Sequence, residues 1–63
     1  SYAGSVLDAA AQYDIVTKSG AWVIYQDEKL GQGMDNARLF LKENPKILSK
    51  IEKETRAKAE ESS

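Results

Sequence analysis

Gly31-Gln32-Gly33 stands where an extended segment gives way to a helical one, and it is the run of the chain best suited to holding an anion. Free backbone N–H groups and the positive end of a helix dipole attract negative charge there, and glycine lets a phosphate approach the main chain. A glycine pair at such a corner also serves as a plain backbone hinge, so both readings stay open. No GxxxxGK[ST] pattern occurs, which excludes a nucleotide-hydrolysis loop. Lys18, Lys29 and Arg38 are candidates to gather near this corner and straddle a phosphate backbone. Taken one at a time, each is an ordinary solvated cation, and only their convergence would matter. Trp22 and Tyr25 have the ring faces to stack on a base, but in a chain with so few large residues they are expected to anchor the core.

The rest of the composition narrows the chemistry further. The 63 residues include no Cys and no His, so thiol nucleophiles, disulfides, the usual zinc ligands and the best proton-transfer side chain near neutrality are all missing. One domain this small buries about 60% of its unfolded surface, and its core is worth roughly 3–5 kcal/mol, which leaves no room for a deep catalytic pocket. Asp27-Glu28 and Glu60-Glu61 are neighbours in sequence on exposed stretches, whereas acid–base catalysis needs carboxylates converging on one cleft. An enzyme is therefore not expected, nor any metal or cofactor. Nine basic against ten acidic side chains give a formal charge of −1, so any anion site must be local. Up to Gly33 there are 2 basic and 4 acidic residues, and beyond it 7 and 6, so neither part is a basic block. No apolar run reaches the ~20 residues a bilayer requires, and Ser1 to Ser5 lacks the basic stretch of a secretion signal, so the expected setting is cytoplasmic, with no membrane partner.

The elements that must position these residues follow from periodicity. Val6, Leu7, Ala10 and Tyr13 at helical spacing behind Ser5 predict a short first helix capped by that serine. Ile15-Val16-Thr17 and Ala21 to Tyr25 predict two strands separated by Ser19-Gly20. The second strand carries large apolar groups on both faces and should be central. A tight turn at Gln26-Asp27, with Asp27 in the strained position, leads to a third strand at Glu28-Lys29-Leu30. Asp35 to Asn44 reads as a second helix with Ala37, Phe40 and Leu41 on its apolar stripe. Asn44-Pro45 ends it and starts a third, with Asn44 as cap. That third helix has a narrow stripe of Ile47, Leu48, Ile51 and Thr55, a charged outer face, and turns from Arg56 onward expected to fray. The expected architecture is α+β: an N-terminal helix, a three-stranded antiparallel sheet and two C-terminal helices, with Trp22, Ile24, Leu30, Phe40, Leu41, Ile47, Leu48 and Ile51 in the core. Residues 1–59 are expected to form the single domain and 60–63 a frayed end.

Lys18-Ser19-Gly20-Ala21-Trp22, Tyr25, Leu30-Gly31-Gln32-Gly33, Asn36-Ala37-Arg38 and Phe40-Leu41-Lys42-Glu43-Asn44-Pro45 together resemble the C-terminal domain of the bacterial RecA recombinases. The likeness covers roughly Asp14 to Ile51 with matching spacing, and the combination is far more specific than any one piece. It implies that the chain is a fragment, since the ATPase core, phosphate loop and single-strand-binding loops of that family lie upstream of such a segment. It also implies a non-enzymatic lobe on the outside of a filament that captures double-stranded DNA weakly and without sequence preference, in the service of recombination and repair. The implied partners are duplex DNA, the remainder of the protomer and filament, and regulatory proteins, with the isolated lobe a monomer. The alternative is a structural or regulator-docking lobe acting through the third helix. Lys18 and Gly33 match positions the family uses for duplex contact, and Asn36 fits its pattern, either reaching a phosphate or capping the helix. With Lys29, Gly31 and Arg38 these make the expected DNA-binding set. Two departures lower the expected affinity: Met34 stands where a Lys or Arg is common, and Asp14 where some members carry a base.

Overall fold

A computed structural model describes residues 1–63 and shows the expected α+β order. Helix α1 (Tyr2–Gln12) leads into strands β1 (Val16–Ser19), β2 (Trp22–Tyr25) and β3 (Glu28–Gln32), followed by helices α2 (Met34–Glu43) and α3 (Pro45–Glu61). The sheet is an antiparallel meander in the order β1-β2-β3, so β2 is central as its apolar composition requires. No helix is long and apolar enough to cross a membrane.

Local signals fix the element ends, in places at different residues from those expected. α1 begins a turn earlier than the periodicity suggests, because the hydroxyl of Ser1, and not that of Ser5, accepts from the Gly4 N–H at 3.1 Å. It ends by donating the Ile15 N–H to the Ala10 carbonyl (2.8 Å) and the Asp14 N–H to that of Ala11 (3.2 Å). This paired closure puts Asp14 in the left-handed region at φ 61°, a position glycine normally fills. In the β2–β3 turn the positive φ falls on Gln26 (57°) instead of Asp27. Asn44 caps α3 by position only, since its side chain donates back to the Phe40 carbonyl at 2.7 Å and so closes α2. α3 continues as helix through Glu61, beyond the point at which its charged composition suggests fraying. Thr55 is buried there, its hydroxyl donating to the Ile51 carbonyl at 2.8 Å.

The core lies between one face of the sheet and the three helices. Leu7, Ala10, Val16, Val23, Tyr25, Leu30, Ala37, Leu41, Leu48 and Ile51 are all buried in one cluster. Of the other expected core residues, Phe40 and Ile47 are half-buried at the margin of this cluster, packed against it, whereas two on β2 sit elsewhere: Ile24 is half-buried and Trp22 is 36% exposed. The cause is strand parity. Side chains alternate along a strand, and Val23 and Tyr25 take the helix-facing positions, so Trp22 and Ile24 must point away. β3 adds an irregularity: Ile24 pairs with Lys29 but Val23 pairs with Gly31, so Leu30 is the extra residue of a β-bulge, turned into the core.

α3 ties the two ends of the structure together. The Tyr2 hydroxyl donates to the Glu52 carboxylate, and that of Tyr25 to Glu54. The first of these bonds, aided by partial desolvation, holds the Tyr2 phenol above its ordinary pKa.

Candidate functional site

β3 delivers the chain to α2 through the glycine corner, and its two glycines do different work. A Cβ on Gly31 would lie 2.6 Å from the Ala37 backbone nitrogen and 2.8 Å from the Asn36 carbonyl carbon. Gly31 is thus the residue that lets the first turn of α2 press onto the sheet, on the side of the sheet that Val23 faces. Gly33 is open to solvent, with nothing within 4 Å of a Cβ built on it, and it holds φ 83° and ψ 162° as the N-cap of α2. Its own N–H is not free, since it donates to the Ala21 carbonyl at 2.7 Å and pins the corner to the end of the sheet. No side chain caps the following turn, so the leading N–H groups of α2 lack a protein acceptor there.

Lys18 is exposed on β1 opposite Val23, which puts its side chain on the helix-covered side of the sheet. There it lines a depression of about 290 Å³ together with Met34, the first residue of α2, and Asp14 at the end of α1. Lys18 and the start of α2 are therefore brought together. Lys29 pairs with Ile24, one residue along from Val23, and so stands on the opposite face, its Nζ 4.9 Å from the centre of the Trp22 ring. Arg38 lies farther along α2 with its aliphatic stem against α1, where a Cβ on Gly4 would meet Arg38 Cδ at 3.1 Å. Asn36 neither caps the helix nor stands free: its Nδ2 donates to the Gln32 carbonyl at 2.8 Å, bracing the corner. The three cations expected around the corner are thus spread over three surfaces.

Electrostatically the corner is mixed. The dipole of α2 and Lys18 favour an anion, while Asp35 in the first turn and Asp14 across the depression oppose it. The face that sequence reasoning missed is the outer one, where an exposed Trp22 meets Lys29. The signal that could have found it is pleat parity, once β2 and its partners were registered.

The sequence is similar to those of known proteins. The sequence model for the RecA C-terminal domain matches residues 4–60. Protein RecA of Halalkalibacterium halodurans is 57% identical over 53 residues, which is 84% of this chain and 15% of that protein. Protein RecA of Syntrophus aciditrophicus is 56% identical over 57 residues, 90% of this chain and 17% of that protein. Protein RecA of Sulfurovum sp. is 58% identical over 52 residues, 82% and 15% respectively. The chain thus spans about a sixth of the length of the curated relatives it matches, and the match takes in all six elements of the fold. On the extent of that match and on these identities, the chain belongs to the RecA C-terminal domain family.

Proposed function

We propose that this domain is a non-enzymatic module that captures duplex DNA through its phosphates, weakly and without reading bases, as part of a RecA-type recombination and repair protein. The observation that carries the reading is the shared location of Lys18 and the uncapped start of α2 around one open depression. An ammonium and a helix N-terminus are both phosphate-positioning groups. Gly33, with no neighbour within 4 Å of its Cβ direction, leaves that approach clear. In this reading Lys18 and Gly33 are the contact residues and Gly31 and Asn36 hold the corner in shape. Lys29 and Arg38, on separate surfaces, add only long-range attraction.

The predicted binding is correspondingly slight. Neutralising about two phosphates gives a slope of log K against log salt of roughly −2, and dissociation constants near ~10⁻⁴ M or weaker. Titration of the 63-residue chain with a short duplex, followed by backbone amide shifts, tests this. Movement is expected at Lys18, Gly33 and Met34 at low salt and should fade as salt rises. Still amides at Lys18 and Gly33 would refute the reading. A second reading, a structural or regulator-docking lobe on the filament, is favoured by the dispersal of the three cations and by the net charge of −1. It gains if shifts caused by the remainder of the recombinase map to α3 while duplex DNA causes none.

A further inference from the structure

The outer face of the sheet is left bare by all three helices, and the chain's one tryptophan is on it. By register, Thr17, Ser19, Trp22, Ile24, Lys29 and Gln32 share this face. It therefore presents an aromatic plane, a half-buried aliphatic neighbour, an ammonium group and neutral hydrogen-bonding side chains, with no strand carboxylate among them. In a protein of net charge −1, a strand surface without carboxylates built around a Trp–Lys pair selects for a ligand with a flat π surface and a negative group beside it.

We propose that this face is a stacking site for an unpaired base of single-stranded nucleic acid, with the base on the Trp22 indole and its neighbouring phosphate on Lys29. In the free protein the Lys29 ammonium rests 4.9 Å from the ring centre. On binding, the flexible lysine swings outward to the phosphate and yields the ring to the base, so the platform is preserved by a cation until the ligand takes it. A duplex offers no such ligand, because its bases are stacked on one another and turned inward. The site is thus separate in face, residues and ligand from the depression at Lys18, and it stands whether or not duplex DNA binds there.

Because Trp22 is the sole tryptophan, its fluorescence reports the site directly. Titrating the chain with oligothymidylate, which does not pair with itself, is expected to quench that fluorescence saturably at low salt. An equal concentration of duplex should quench little. Lys29→Gln should weaken the quenching and flatten its salt dependence, while Lys18→Gln leaves both unchanged. Anisotropy of a labelled oligothymidylate should show binding by Trp22→Ala weakened about fivefold or more, the loss of one stacked base, with the thermal transition retained as a control on folding. The proposal is overturned by absent quenching, by equal quenching with duplex, or by quenching that Lys18→Gln abolishes. It is overturned too if the fluorescence depends on protein concentration alone, which would make a second copy the occupant.

Discussion

The two faces of the sheet are built from the same alternating strands of four or five residues yet answer to different constraints. The inner face, with Val23, Tyr25, Leu30 and Gly31, is packed against helices so closely that one position tolerates no side chain atom at all. The outer face carries Trp22, Ile24 and Lys29, where side chains meet mainly each other and solvent. Steric fit governs the first and chemistry is free to vary on the second. The difference teaches that residue size says little about burial in a meander this small, and that parity says a great deal.

The sharpest way to break the contrast is Gly31→Ala. The added methyl group meets backbone, which cannot rotate away, so α2 must lift from the sheet at a cost of about 3 kcal/mol or more. Thermal melting should show a loss on the order of 10 °C or more, and a variant that melts within a degree or two of the parent would show the corner to be pliable. Gly33→Ala should cost less, about 2 kcal/mol, because the penalty there is the backbone at φ 83° and ψ 162° with no collision. Denaturant titration distinguishes the two, and an equal loss in both variants would contradict the division of labour between them. The smallest effect is expected from Trp22→Ala, on the order of 1 kcal/mol, since it removes a partly covered ring on the outer face and one cation–π contact without opening the core. A larger loss would mean that the indole supports the core after all.

The order of elements was legible because each has its own punctuation: Ser19-Gly20 between strands, the glycine corner before α2, and Asn44-Pro45 between the last two helices. The face assignment of β2 was not. Trp22, Val23, Ile24 and Tyr25 are all apolar, so the strand has no two-residue rhythm to show which pair turns inward, and residue size points to the wrong pair. The bulge at Leu30 compounds this by shifting parity partway along β3. The same ambiguity hid the site geometry. Lys18 and Lys29 are both plausible partners for the glycine corner until register places them on opposite faces, and no local feature of either lysine reveals it. For α3, composition suggested a loose end because the stabilising partner, α1, lies at the other end of the chain. Family-level motifs, in contrast, were readable without any geometry, since they depend on residue identity and spacing alone.

The bond from Tyr2 to Glu52 closes a sequence separation of 50 residues, while each strand pairs only with its near neighbour along the chain. Loop-closure entropy grows with the length enclosed, so the hairpins are cheap to close and the α1–α3 seam is the most expensive step. The seam can repay that cost only once the elements between its two sides have already shortened the distance. In kinetic terms, the meander needs only contacts between neighbours in sequence, and the clasp between first and last helices turns a set of local pieces into a single cooperative body.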